Sequence, residues 1–313
     1  MPDSATIAFI GLGNMGLPMV SRLTSAGFDV RGYDVSADAR SRLSTVGATA
    51  CDSAVVAVSG AQTVVLMLPN SAIVTAVVDD LLAGDTLAPG TTIVDMSSSE
   101  PLATRALAET VRTRGFAFVD APVSGGVTGA RNGRLTIMVG GDAGDIDRVE
   151  AILRPLGTVI RCGEVGAGHA VKALNNLLSA THLWATSEAM EAGVAFGLDP
   201  EVMLSVFNRS SGRSGSSENK WPNFVLSGGY DSGFGLHLML KDMKIALGLA
   251  ESTGVMHEMA SRAVSLWQSA ADNTDARADH TQIAEWIASH NDRREQSAAP
   301  PLRTNVVDQA GSH

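Results

Sequence analysis

The chain has 313 residues, 45% of them apolar and 18% charged, with a formal net charge of −10 at pH 7. This length suggests about two domains with real cores. The acidic balance, with no Lys/Arg run, argues against a nucleic-acid surface, and the absence of any 18-residue apolar run argues against a membrane span. The two cysteines, Cys51 and Cys162, stand singly with no CxxC and no nearby His pair, so neither a metal site nor a disulfide framework is expected. The N-terminus passes straight into a strand-like ATIAFIGLG rather than a signal peptide, which fits a cytoplasmic protein.

In chain order, residues 6–10 form a short apolar, β-rich run ending in Gly11-Leu12-Gly13-Asn14-Met15-Gly16. A helix over 17–26 and a second strand over 29–33 follow, and that strand ends at Asp34. This is a βαβ unit with GxGxxG at its first turn and an acid 18 residues past the third glycine. The first glycine permits the tight turn, the second lets a pyrophosphate approach the backbone, and the third lets helix and strand pack closely. The helix N-terminus then offers free N–H groups to phosphates. A carboxylate at Asp34 accepts hydrogen bonds from ribose hydroxyls and repels a 2′-phosphate, so NAD is favoured over NADP.

Strand patterns recur at 63–68, 92–96, 117–119, 135–139 and 159–161, mostly with helical stretches between them. Alternation of this kind predicts an α/β, Rossmann-type, doubly wound parallel sheet whose ligands bind at the carboxyl ends of the strands. Leu68, Pro69 and Ser98 fall at such ends and are candidate cofactor contacts. The loop Ser124-Gly125-Gly126 exposes consecutive backbone N–H groups beside a hydroxyl, a concavity suited to a carboxylate.

After Gly163 the strands stop. Residues 166–197 contain no proline and predict one helix of roughly 25–30 residues. Val171, Leu174, Leu177, Leu178, Leu183, Trp184, Met190 and Val194 place apolar groups almost all round it, so the helix is expected to be buried on every side. Near its start Lys172 and Asn176 share one face. Further helices are expected at 202–207, 236–252, 255–273 and 281–289. The expected division is a nucleotide-binding domain (1–164), an all-α substrate and dimerisation domain joined by the long helix (165–291), and a disordered tail (292–313).

Four motifs stand in fixed order: Gly11 to Gly16 with Met19; Asp120-Ala-Pro-Val-Ser-Gly-Gly126 with Gly129, Ala130 and Gly133; Gly166-x-Gly168-x-x-x-Lys172-x-x-x-Asn176; and Lys241-Asp242. Together they resemble the β-hydroxyacid dehydrogenase family, which includes 3-hydroxyisobutyrate dehydrogenases, tartronate semialdehyde reductases and L-threonate-type dehydrogenases. The resemblance covers about residues 5–290. It implies Lys172 as catalytic acid/base, Asn176 as its partner at the substrate, and Ser124, Gly125 and Gly126 as the carboxylate cradle. It also implies Lys241 at the nicotinamide and Leu68, Pro69 and Ser98 at the cofactor, although the family usually has threonine at the place of Ser98. Asn175 stands where phosphogluconate relatives carry a histidine, which argues against a decarboxylating phosphosugar enzyme. Imine reductases generally lack the lysine.

The expected activity is reversible, NAD-dependent oxidation of a small 3-hydroxy acid to its semialdehyde, 3-hydroxyisobutyrate first. Tartronate semialdehyde, L-threonate, serine and a sulfonate analogue are alternatives within the family, and a non-catalytic dinucleotide-binding module is the alternative outside it. A homodimer or homotetramer is expected.

Overall fold

The computed structural model describes residues 6–297, with side-chain surroundings to residue 290. Its strands are β1 (Thr6–Ile10), β2 (Asp29–Tyr33), β3 (Thr49–Ala50), β4 (Thr63–Leu66), β5 (Thr92–Asp95), β6 (Ala117–Asp120), β7 (Val123–Ser124), β8 (Leu135–Gly140) and β9 (Gly157–Gly163). They form one sheet in the order β3-β2-β1-β4-β5-β6-β8-β7, with β9 also paired to β8. Neighbours from β3 to β6 run parallel. The order reverses between β1 and β4, which is where a doubly wound sheet opens its ligand crevice.

The sheet is not parallel throughout. β8 runs antiparallel to β6 and β7. Only the two-residue β7 and the short helix Gly126–Asn132 separate β6 from β8, a link too compact for the crossover that parallel strands need. β3 and β7 escape sequence reading because two residues carry no period.

Alternate strand residues feed two cores. Ile7, Phe9, Val65, Val94 and Val119 pack on one face, and Ala8, Ile10, Val64, Leu66, Ile93 and Phe118 on the other. Helices therefore cover both faces, which explains why β4 and β5 are buried at every residue.

The described chain divides into two compact units, one of residues up to 182 with 231–280, the other of 183–230 with residues from 281 on. The first unit holds the sheet and the helices Leu236–Thr253 and Glu258–Ala271. The second holds the helix Pro200–Arg209, capped by the Asp199 side chain on the Val202 N–H, and the last helix, Ile283–Ser297. It also contains a π-helical stretch, Ser216–Val225, where the sequence reads as loop. Buried Trp221 anchors that stretch through an Nε1–H···Oγ bond to Ser187 at 3.2 Å, so packing overrides the local signal of Pro222.

The long helix runs Ala167–Phe196, but it is not buried on every side. Lys172, Ala173, Asn176, Ala180 and Leu183 are buried, whereas Val171, Leu174 and Leu178 are 42%, 42% and 59% exposed. The two sets fall on different helical faces, and the second is left largely open to solvent among the described residues. The last helix also continues past its expected end, since no glycine or proline interrupts it before Pro300. Of the tail expected over 292–313, residues 298–313 lie outside the described residues.

Candidate active site

The glycine turn sits where β1 ends. Gly11 has φ +99° and its N–H donates to the Tyr33 carbonyl at 2.9 Å. A Cβ there would stand 2.2 Å from the Met67 carbonyl oxygen, so only glycine lets β1 pass the end of β4. Gly13 and Asn14 are exposed, and no atom lies within 4 Å of where a Gly13 side chain would be. The helix Gly16–Ser25 begins without a side-chain cap. The Leu17 and Met19 N–H groups donate to the Gly13 and Met15 carbonyls and Pro18 has none, so it is the exposed backbone of the turn at Gly13 and Asn14, ahead of the helix, that an anion can approach.

Asp34 is tied to this turn. Its Oδ2 accepts from the Leu12 N–H at 2.7 Å and its Oδ1 from the Ser36 N–H at 2.8 Å. The nearby arginines are committed to carbonyls: Arg40 to Asp34 and Val35, and Arg31 to Ser59. The turn, the uncapped helix and the acid fit a dinucleotide whose ribose carries no 2′-phosphate.

The loops after β4 and β5 are joined to each other and to a distant helix. The Leu68 N–H donates to Ser97 Oγ at 2.9 Å. Lys241, on the helix Leu236–Thr253, donates through Nζ to the Ser98 carbonyl at 2.8 Å and the Pro69 carbonyl at 3.1 Å. Two of the sequence-predicted cofactor contacts, Pro69 and Ser98, thus meet the predicted lysine, while Leu68 is tied to the same loop through Ser97.

The start of the long helix is fixed to the end of β6. Asp120 is fully buried and accepts from the Gly166 N–H at 2.6 Å and the His169 N–H at 2.9 Å. Burial pushes its carboxyl above the usual range, against the opposing pull of His169 and these N–H groups. A Cβ on Gly168 would lie 2.2 Å from the Met138 carbonyl oxygen, so the helix rests with its backbone directly on β8.

One turn on, Lys172 is only 6% exposed. Its Nζ faces Asn176 Oδ1 at 3.4 Å and lies 5.8 Å from the centre of the Phe234 ring. The Asn176 amide donates to Asp242 Oδ2 at 2.7 Å. Burial lowers the Lys172 pKa from 10.5; Asp242 opposes that shift and Lys241 adds to it. A lysine held in this way supplies a neutral amine closer to physiological pH than an exposed one does.

Ser124, Gly125 and Gly126 form their own loop at the β7 end. Ser124 is half-buried and pairs in register with Thr136. Gly125 and Gly126 have φ +124° and +61°, and the Gly125 carbonyl accepts from the Gly129 N–H at 3.0 Å.

Two groups at Lys172 went unweighted in the sequence. In the sequence Asp242 stands out only as the neighbour of Lys241, and Phe234 carries no signal. A buried acid at helical spacing between apolar residues (Leu240, Asp242, Met243) is the cue that could have raised Asp242. Among the described residues no group of three or more His, Cys, Asp or Glu could hold a metal ion, and no helix is long and apolar enough to cross a membrane.

Comparison with known proteins agrees with this layout. Residues 6–166 match the model for the NAD-binding domain of 6-phosphogluconate dehydrogenase, and residues 166–287 match that for the NAD-binding region of NADP-dependent 3-hydroxyisobutyrate dehydrogenase. The chain is 40% identical over 272 residues to the NAD-dependent L-serine dehydrogenase of Pseudomonas aeruginosa, covering 84% of this chain and 91% of the relative. It is 36% identical to the 2-(hydroxymethyl)glutarate dehydrogenase of Eubacterium barkeri, over 86% of this chain and 90% of the relative. Among solved structures, Mycobacterium tuberculosis 3-hydroxyisobutyrate dehydrogenase with L-serine superposes with a TM-score of 0.86 at 32% identity, covering 90% and 99% of the two chains. The chain therefore belongs to the β-hydroxyacid dehydrogenase family, NAD-dependent oxidoreductases that act on the CH–OH group of small hydroxy acids.

Proposed function

We propose that the chain oxidises the primary alcohol of a 2-substituted 3-hydroxypropionate to its semialdehyde, and reverses the reaction, with 3-hydroxyisobutyrate as the first substrate. The observation that carries this reading is Lys172, buried beside Asn176 and Asp242 with its pKa lowered. Alcohol oxidation needs a base within hydrogen-bond reach of the hydroxyl. Lys172 as neutral amine takes that proton, and as ammonium returns it to the alkoxide in reduction. Asn176, oriented by Asp242, holds the hydroxyl oxygen at the same height. Ser124, Gly125 and Gly126 take the substrate carboxylate, which fixes the reacting carbon and saves orientational entropy. NAD, when bound, supplies the hydride acceptor. In the turn Gly11 to Gly16, Gly13, Asn14 and Met15 would face its phosphates while Gly11, Leu12 and Gly16 shape the turn; Asp34 would hold its ribose, and Leu68, Pro69, Ser98 and Lys241 the remainder.

L-Serine is the second reading, favoured by the 40% identical L-serine dehydrogenase. It has the same carboxylate and hydroxymethyl groups, with ammonium in place of methyl. We read residues 1–164 as the nucleotide-binding domain and 165–291 as the α-helical one, in line with family models that meet at residue 166. The chain works as a homodimer or homotetramer in the cytoplasm. The apolar stripe Val171, Leu174 and Leu178 and the two free cysteines support those assignments, and light scattering with cell fractionation tests them.

The decisive experiment is a panel of C3–C4 hydroxy acids assayed with NAD and with NADP. Turnover of 3-hydroxyisobutyrate with NAD supports the first reading, and preference for L-serine supports the second. Turnover confined to tartronate semialdehyde, L-threonate or a sulfonate reassigns the substrate. NAD binding with no turnover of any acid overturns the enzymatic assignment in favour of a binding module.

A further inference from the structure

His169 lies one helical turn before Lys172 and is 1% exposed. A buried histidine costs desolvation unless both ring nitrogens are satisfied, and here they are. Nε2 lies 3.0 Å from the Ser97 carbonyl oxygen, which has no hydrogen to give, so Nε2 carries the proton and donates. Nδ1 lies 2.8 Å from Thr104 Oγ1. The charged groups facing the ring are Asp95 on β5, 3.7 Å from Nε2, and Asp120 on β6, 3.8 Å from Nδ1.

These contacts close a circuit. His169 holds the Ser97 carbonyl, and the next carbonyl in the chain, Ser98, holds Lys241 at 2.8 Å. Beside Lys241, Asp242 takes the Asn176 amide at 2.7 Å, and the Asn176 oxygen faces Lys172 at 3.4 Å. Lys172 and His169 lie one turn apart on the same helix, so the circuit ends where it began. Ser97 also receives the Leu68 N–H. An apolar side chain at 169 would fill the space but would break the direct tie between the helix turn that carries Lys172 and the Ser97-Ser98 loop, leaving the longer route through Asn176, Asp242 and Lys241.

We propose that His169 is a positioning residue: by gripping Ser97 it sets the height of Lys172 against the Ser97-Ser98 loop and keeps the Lys172 amine out of water. The inference rests on Lys172 being the acid/base. Loosening the grip displaces the amine and wets it. A displacement of about 1 Å costs on the order of 10²-fold in rate, and hydration returns the Lys172 pKa toward 10.5. The groups facing Lys172 itself are Asp242 and Lys241, both left in place.

The test compares wild type, His169→Leu, His169→Gln, Thr104→Val and Lys172→Ala in full-length protein. The readouts are kcat, KM, NAD binding and the pH profile of kcat/KM for alcohol oxidation. His169→Leu is expected to lower kcat by about 10- to 100-fold with NAD binding kept, and to move the acid limb to higher pH. His169→Gln, which keeps a donor for the Ser97 carbonyl, is expected to restore both. Thr104→Val is expected to move the limb the same way by less, and it carries the test with His169→Gln if the leucine variant does not fold. An unmoved acid limb in folded His169→Leu or Thr104→Val, or no rescue by glutamine, overturns the inference. Full activity in Lys172→Ala instead overturns the acid/base reading on which it rests.

Discussion

The Asn176 amide donates to Asp242 at 2.7 Å and thereby turns its own oxygen toward Lys172 at 3.4 Å. Asp242 thus orients the amide and biases the lysine electrostatically. The charge on Asp242 favours the protonated ammonium while burial disfavours it.

Replacing Lys172 by alanine is expected to cut NADH formation by about 10²- to 10⁴-fold, the range for loss of a general base. NAD binding, followed by nucleotide fluorescence or calorimetry, should persist because the nucleotide turn is untouched. Turnover equal to wild type would remove Lys172 from the mechanism.

The pH profile gives a signed prediction. In the proposed mechanism oxidation requires neutral Lys172, so kcat/KM is expected to rise with pH through the lysine's pKa, below its ordinary 10.5. Asp242→Asn removes a charge that raises this pKa, so the acid limb should move to lower pH. Lys241→Ala removes a charge that lowers it, so the limb should move to higher pH. Shifts in the same direction for both variants would contradict the electrostatic account.

Lys241→Ala carries a second expectation, because Nζ ties the Pro69 and Ser98 carbonyls together. The KM for NAD should rise severalfold while thermal stability changes little, since the side chain is partly exposed. An unchanged KM for NAD would remove Lys241 from the cofactor site.

Asp34→Ala should weaken discrimination for NAD over NADP, and it also frees the Leu12 N–H from its acceptor. The ratio of kcat/KM with the two cofactors measures this. A wild-type enzyme already preferring NADP would refute the role given to Asp34.

Gly168→Ala should destabilise the fold by about 1–3 kcal/mol, as overpacking does, because its Cβ would press on the Met138 carbonyl at 2.2 Å. Chemical denaturation reads the loss directly. Gly13→Ala, where no atom lies within 4 Å, should leave stability nearly unchanged and weaken NAD binding.

Much of the fold was legible because local signals agreed with each other. β1 and β2 carry the strand, glycine-turn and acid pattern in one short stretch, and their bounds match the sequence reading. The long helix was legible from its uninterrupted composition. Its burial was not, because periodicity says where apolar residues lie and not which of them meet a partner. The π-helical stretch at Trp221 was hidden for a related reason: it is anchored in part by a bond to Ser187, 34 positions away. At the site, Lys172 and Lys241 could be singled out as motif residues. Their joint arrangement through Ser98, Asp242 and Asn176 depends on contacts spanning 66 to 143 positions, which no local spacing encodes.

The seating of Gly168 on the Met138 carbonyl bears on substrate range. The position of Lys172, the base of the proposed mechanism, is set by main chain against main chain one turn earlier, and held by Asp120 through two backbone N–H groups. On the proposed mechanism, a substitution among the side chains that line the substrate leaves this main-chain seat in place. The same seat would then serve different acids with one proton-transfer chemistry.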